Sequence, residues 1–245
     1  YHRVRFDDID TLRHSYNVEQ NSFYASVPLV ITPGLRVVPS GHLVLQKYSP
    51  IAVSYVPSAD SFVFRRNKVE RKEWALGLGV QADLGTFTTS AHLNWTELGL
   101  NHQLIVGGAI TWYPQGNLNS WLRMHVANLS EENDNRIIYE PSFGLKATSW
   151  LWLEGSCSFG DLTHYSSEEL YVLFNKFETA GNRYSLALHF PVIPSALLSL
   201  RASMMDYNST LLEYKVNNAS QLIEPSFEKL DFLQYSIIGA IRWNF

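Results

Sequence analysis

From Trp74 to Leu84 the chain alternates without a break. Trp74, Leu76, Leu78, Val80, Ala82 and Leu84 fall on one face, and Ala75, Gly77, Gly79, Gln81 and Asp83 on the other. Successive side chains of a β-strand point to opposite faces, whereas a helix repeats every 3.6 residues, so a strict period of two is a strand signal. Gly85-Thr86 supplies a tight turn, after which Phe87, Thr89, Ala91, Leu93 and Trp95 alternate with Thr88, Ser90, His92, Asn94 and Thr96. The two runs read as a β-hairpin. Its apolar row must be covered by a protein core or by lipid, and its other row is fit for water.

The same split recurs down the chain. Leu104, Val106, Gly108, Ile110 and Trp112 share a face; after the turn at 114–117, Leu122, Met124 and Val126 oppose Trp121, Arg123 and His125. The polar stretch 130–135 is expected to be a loop, and the strand after it sets Tyr139, Phe143 and Leu145 against Glu140, Ser142 and Lys146. A turn near Thr148-Ser149 leads to Leu151, Leu153, Gly155, Cys157 and Phe159, with Glu154 on the opposite face. A long connection, including a strand-like stretch at 170–176, precedes Tyr184, Leu186, Leu188 and Phe190, which oppose Arg183, Ser185, Ala187 and His189. The turn at 191–195 then feeds Leu198, Leu200, Ala202 and Met204, opposite Ser199, Arg201 and Ser203; a second long connection is expected at 207–231.

Counted back from the C-terminus, nine strands begin with the one at Trp74. Upstream, stretches 22–31, 35–46 and 51–64 are candidate strands interrupted by Pro28, Pro33, Pro39, Pro50 and Pro57. Evenness favours about 12 strands, with 10 or 14 as alternatives. Residues 1–17 are polar and are expected to be a tail, a short strand or a plug of the lumen. The fold expected is all-β: a transmembrane, antiparallel, up-and-down β-barrel forming a single domain over residues 1–245. Ten steps at ~3.3 Å, tilted ~45°, carry the first strand through about 23 Å, the height of an outer-membrane apolar band.

Composition narrows the alternatives. Apolar residues make up 46% of the chain, with 13 Tyr, 13 Phe and 7 Trp, yet the mean hydropathy is −0.10. No apolar run approaches the ~18 residues of a spanning helix. A formal charge of −4 argues against wholesale nucleic-acid binding. One cysteine, Cys157, allows neither an intramolecular disulfide nor a thiolate zinc cluster, and on the apolar row it reads as a small hydrophobe. The 8 histidines are scattered without metal-ligand spacing, so neither a metal nor a cofactor is expected. His14-Ser15 and Ser40-Gly41-His42 lack an identifiable third member of a catalytic constellation, so an outer-membrane lipase, acyltransferase or protease is the weakest functional reading. A soluble lipocalin-like barrel is the rival fold. It would place the tryptophans inside and the arginines in solvent.

On the membrane reading, Trp74, Phe87, Trp95, Trp112, Tyr139, Phe190, Tyr235, Trp243 and Phe245 form lipid-facing aromatic girdles at the two interfaces. The inward polar set is Asp83, His92, Arg123, His125, Glu140, Lys146, Glu154, Arg183, His189, Arg201 and Arg242. Its basic excess would favour anions in a pore. Charges inside a narrow barrel more often pair and fill it, and the pairings expected are Arg123 and His125 with Glu140, and Glu154 with Lys146. Short turns at 85–86, 114–117, 148–149 and 191–195 alternate with longer connections, and the short ones mark the periplasmic end of an outer-membrane barrel.

The chain ends Tyr-Ser-Ile-Ile-Gly-Ala-Ile-Arg-Trp-Asn-Phe, with Tyr235, Ile237, Gly239, Ile241, Trp243 and Phe245 on one face. This resembles the C-terminal assembly signal of Gram-negative outer-membrane β-barrels. The resemblance implies location in the bacterial outer membrane with both termini periplasmic, contact with outer-membrane lipids and lipopolysaccharide, and recognition of the last strand by the barrel-assembly machinery. The chain opens at Tyr1 without a signal-peptide pattern, as a processed or trimmed chain would. Segments 112–118 and 138–144 resemble hairpins in barrels of Bacteroidota, a group that builds multi-component outer-membrane machines. That likeness favours a non-enzymatic accessory or structural subunit of a larger outer-membrane complex in transport, secretion or assembly, with other outer-membrane proteins as partners. A small porin-like channel for ions or small anionic solutes is the alternative.

Overall fold

The computed structural model describes residues 2–6, 16–49, 51–56, 61–98, 101–132, 134–168, 170, 173, 179–193, 195–217 and 222–243. Its strands are β1 (His2–Phe6), β2 (Tyr16–Ser26), β3 (Leu29–Thr32), β4 (Leu35–Tyr48), β5 (Ile51–Val56), β6 (Ser61–Arg66), β7 (Val69–Leu84) and β8 (Phe87–Leu98). Then follow β9 (Asn101–Trp112), β10 (Ser120–Glu131), β11 (Asp134–Thr148), β12 (Leu151–Ser158), β13 (Thr179–Ile193), β14 (Ala196–Asn217) and β15 (Leu222–Trp243). Twelve of them lie side by side in the order β1-β2-β4-β7-β8-β9-β10-β11-β12-β13-β14-β15, each antiparallel to its neighbour. The architecture is an up-and-down antiparallel sheet of the barrel class.

The route to twelve differs from the sequence parse at the N-terminal side. The stretch 22–31 is split into β2 and β3, which pair with successive parts of β4; the break falls at Val27-Pro28, where Val27 N still donates to Pro39 O at 3.0 Å. The stretch 51–64 is not a strand of the main sheet, because β5 and β6 pair only with each other as a separate hairpin. Residues 2–6 supply the extra strand, β1, while residues 1 and 7–15 lie outside the described residues.

Two expected loops are largely strand. β10 and β11 continue to Glu131 and Asp134, with Ser130 opposite Asn135 and Glu131 opposite Asp134. β14 and β15 stay paired from Ala196↔Trp243 to Asn217↔Leu222, so the expected loop at 207–231 is mostly a hairpin. Apolar alternation stops where the strands leave the apolar belt; backbone hydrogen bonding does not.

The two faces of the wall are inverted relative to a soluble protein. On the convex face Leu76, Leu78, Leu93, Val106, Ile110 and Leu122 are exposed, whereas on the inner face His92, Asn94, Thr96, Gln103 and His125 are buried. A water-soluble barrel buries its large apolar side chains and leaves polar ones outside. A continuous apolar exterior of this extent requires lipid, which disposes of the lipocalin-like reading. The exposed row includes the girdle residues Phe87, Trp95, Trp112, Tyr139 and Tyr235. Trp74 packs edge-on to Trp95 at 5.2 Å, Phe87 stacks on Trp112 at 6.5 Å, and Phe190 on Trp150 at 6.4 Å. Phe245 and the side chain of Trp243 lie outside the described residues.

Candidate functional site

The antiparallel register fixes which inner-face side chains meet. On one rung, Asp83, Thr88, Thr111, Arg123, Ser142, Ser156, Ser185, Ser203 and Ser236 stand opposite one another from β7 to β15. The rung nearer the long connections carries Gln81, Ser90, Ala109, His125 and Glu140. Beyond it lie His92, Gly107, Ala127 and Ile138, and then Asn94, Ile105, Leu129 and Arg136. The inner face thus turns from hydroxyl-rich to apolar toward the end bearing the long connections.

That apolar stretch is covered by the connection between β12 and β13. β12 ends at Ser158, Phe159 pairs with Tyr139, and Gly160 adopts φ 125°, so the chain turns off the wall into the lumen. A Cβ on Gly160 would lie 2.8 Å from Ile137 O, which makes glycine the residue this departure requires. Leu162, Tyr165 and Leu170 of the connection have no exposed surface; Leu162 and Tyr165 cluster with Ile105, Ala127, Leu129, Ile138, Ala180, Met205 and Tyr207 of the wall. Backbone bonds tie the segment in place: Leu162 N donates to Ala180 O at 2.7 Å, and Tyr165 N to Leu162 O at 3.1 Å. Residues 160–168, with Leu170, form a plug.

The plug also completes the polar groups of the wall. Tyr165 donates its hydroxyl to Glu140 Oε2 at 2.7 Å, beside His125 Nδ1 at 2.7 Å, while Ser158 donates to Glu140 Oε1 at 2.9 Å. Asn94 Nδ2 donates to Ser166 Oγ at 3.3 Å and to Ser167 O at 3.0 Å; His42 Nδ1 donates to Leu170 O at 2.8 Å. Arg123 binds Glu168 through Nη2. His92 stacks on His125 with ring centres 5.0 Å apart.

At its root the plug is held by Arg136. This side chain contacts Glu131, lies 3.3 Å from Asp134 and 3.1 Å from Asp161, and donates to Thr163 O at 3.1 Å. Glu131 also accepts from Asn101 and faces His164 at 3.3 Å. Asn101, Glu131, Asp134, Arg136 and His164, with Glu132 and Thr163, line an open cleft of about 440 Å³. The outward residues Asn128 and Ser130 are polar, so this end of β10 stands beyond the apolar belt. Burial pushes the Glu131 carboxyl up, but the Asn101 hydrogen bond and the charges of His164 and Arg136 outweigh it and hold the group below its ordinary range.

The sequence-derived inner set is therefore distributed between two chambers. Arg123 and Glu140 meet the plug; His125 is bonded to Glu140, and His92 stacks on His125. Glu140 pairs with His125, but Arg123 pairs with Glu168, and Glu154 faces His189 at 3.4 Å in place of Lys146. Those partnerships correct the expected Arg123–Glu140 and Glu154–Lys146 pairs: Glu168 comes from the connection, which strand alternation cannot place, and Lys146 stands opposite Trp152. Asp83 accepts from Thr88 at 2.8 Å and Gln81 at 3.2 Å; Arg183 stands opposite Ser158 and Met205. Lys146, Arg201 and Arg242 are exposed toward the short-turn end, and none has a carboxylate partner among the described residues. Tyr165, Glu168, Arg136 and Glu131 were not among the sequence candidates. Their only sequence signal is a long connection carrying Leu162, Tyr165 and Leu170, residue types that a solvated loop has no reason to hold.

No family model matches the chain, and no curated protein matches it in sequence. Among solved structures it is similar to a Pseudomonas aeruginosa FadL homologue, with a TM-score of 0.56 at 10% identity over 94% of this chain and 69% of that one. OmpT, an outer membrane protein of Vibrio cholerae, aligns with a TM-score of 0.35 at 12% identity over 93% of this chain and 97% of that one. The first likeness shows the fold, that of an outer-membrane β-barrel.

Proposed function

We propose that this chain is a non-enzymatic barrel of the bacterial outer membrane that works as an accessory subunit of a larger outer-membrane complex, with its lumen stoppered. The observation that carries this reading is the plug: residues 160–168, with Leu170, occupy the long-connection half of the lumen with fully buried Leu162, Tyr165 and Leu170. A standing pore needs a continuous polar, hydrated path. The β5–β6 hairpin, and β14–β15 where they continue beyond the girdle residue Tyr235, offer surfaces outside the lipid for partners. The short-turn end is assigned to the periplasm, with outer-membrane lipids and lipopolysaccharide against the apolar wall and the barrel-assembly machinery acting on the last strand.

The purified protein in planar bilayers is expected to be silent, and to co-purify from native membranes with a stoichiometric partner. Steady conductance by the unmodified protein, or its recovery always alone, would overturn the accessory reading. A second reading, a gated channel for small anions, is favoured by Lys146, Arg201 and Arg242, which lie below the plug with no carboxylate partner among the described residues. It predicts that Leu162→Asp with Leu170→Asp, which makes the buried plug polar, produces anion-selective current.

A further inference from the structure

Arg123 sits on the hydroxyl-rich rung and reaches the plug through Glu168. Its side chain retains 33% of its surface, and Glu168 retains 20%. Within the described residues the carboxylate engages only Nη2, so Nε and Nη1 keep their donors free. Guanidinium presents five N–H groups in a fork that matches carboxylate and phosphate through two parallel bonds, and a single-nitrogen contact leaves that fork half used. The neighbours on the rung, Thr111 on β9 and Ser142 on β11, bring hydroxyls to either side of it. Such hydroxyls donate to an anion without adding charge of their own.

The approach from the short-turn end carries a basic excess: Lys146 on β11, Arg201 on β14 and Arg242 on β15 line it, against Asp83, which accepts from Thr88 and Gln81, and Glu154, which faces His189. An excess of one sign of charge raises the local concentration of the opposite ion. Glu168 is then the anion already resident at the end of that approach.

We propose that Arg123, flanked by Thr111 and Ser142, is a binding site for a small oxyanion, and that Glu168 of the plug occupies it as an internal ligand. An incoming oxyanion exchanges for Glu168 at the guanidinium, so that its binding and the seating of the plug compete. No covalent step is involved. This rests on the reading that residues 160–168, with Leu170, close the lumen, and it adds the chemistry that would loosen them.

The test uses the folded full chain in detergent micelles, titrated with inorganic phosphate by calorimetry, with heat-modifiable gel migration as the check on folding. A site whose resident competitor is removed gains affinity by the factor that the competitor had withheld. Glu168→Gln is expected to bind phosphate about tenfold or more tightly than the unmodified chain, and Arg123→Gln to lose the binding. Lys47→Gln, a pair partner of Glu70 far from the lumen rung, is expected to leave it unchanged. Equal or weaker binding by Glu168→Gln would overturn the proposal, as would phosphate binding that survives Arg123→Gln. Should Arg123→Gln fail to fold, Arg123→Lys keeps the charge without the fork: weaker binding supports the site, and undiminished binding overturns it. Conductance of the unmodified chain, recorded separately, would sink the closure reading without altering the titration.

Discussion

The hydroxyl of Tyr165 offers the sharpest perturbation of the plug. Its ring is fully buried and the hydroxyl donates to Glu140 at 2.7 Å. Tyr165→Phe keeps the ring, so no cavity opens, and removes one hydrogen bond to an ionised acceptor, worth about 1.5–3 kcal/mol. Glu140 retains His125 at 2.7 Å and Ser158 at 2.9 Å, which places the loss toward the lower end of that span. At 1.4 kcal/mol per factor of ten, the population with the plug unseated should rise roughly 10- to 30-fold. Hydrogen–deuterium exchange reads this directly, because the Leu162 amide of the plug is bonded to Ala180 O of β13 at 2.7 Å. That amide should lose protection by that factor, with the amides of β8 and β9 unchanged. A loss below about threefold, or an equal loss throughout β8 and β9, would refute the assignment of Tyr165 as a local latch.

Other consequences follow from the wall and the root of the plug. Leu78→Arg puts a charge at the middle of the lipid-facing row, where it is exposed and level with Leu93; the cost should be about 2–4 kcal/mol, seen as a lowered urea midpoint in vesicles. Gly107→Ala sets a Cβ 2.9 Å from Val126 O, a backbone atom that cannot swing aside, and should destabilise the barrel by about 1–3 kcal/mol in the same assay. Glu131 is held below its ordinary range in the folded chain, so its ionised form stabilises the plug root. That contribution is complete above the ordinary carboxylate range and disappears as pH falls through the depressed value. Protection of the Leu162 amide, corrected for intrinsic exchange, should therefore hold from pH 7 to 5 and decline below, and Glu131→Gln should flatten the decline.

What the sequence makes legible is what the lipid enforces. β7 to β11 alternate because every second side chain must be apolar across the belt, and those strands were readable to within a few residues. Outside the belt nothing penalises a polar outward residue. Asn128 and Ser130 on β10, and Asn208 on β14, therefore mimic loop while the backbone remains paired. The plug escaped for a different reason. Leu162, Tyr165 and Leu170 sit at separations of three and five, matching neither a strand nor a helix, because their burial is set by the cavity they enter rather than by a regular element. Its partner residues were half visible: His125 and Glu140 could be paired across adjacent strands, but no register connects Glu168 to Arg123.

The plug and the inner wall satisfy each other, and this limits how the lumen can open. Glu140 takes one of its hydrogen bonds from the plug, Asn94 makes both of its recorded ones there, and Arg123 has its counter-charge there. Simple withdrawal would take these partners away, and a buried polar group left unpaired costs about 1–3 kcal/mol, more if charged, until another partner replaces the plug. The apolar side adds to the cost, since Ile105, Leu129 and Ile138 would lose Leu162 and Tyr165. Unseating is therefore favourable only when something replaces what the plug supplied. Water can serve Asn94 and Glu140, but it cannot neutralise Arg123. The last group to be released is the one that needs an anion, which is why the Arg123–Glu168 contact, rather than the larger apolar interface, is where a small solute can act on the closure.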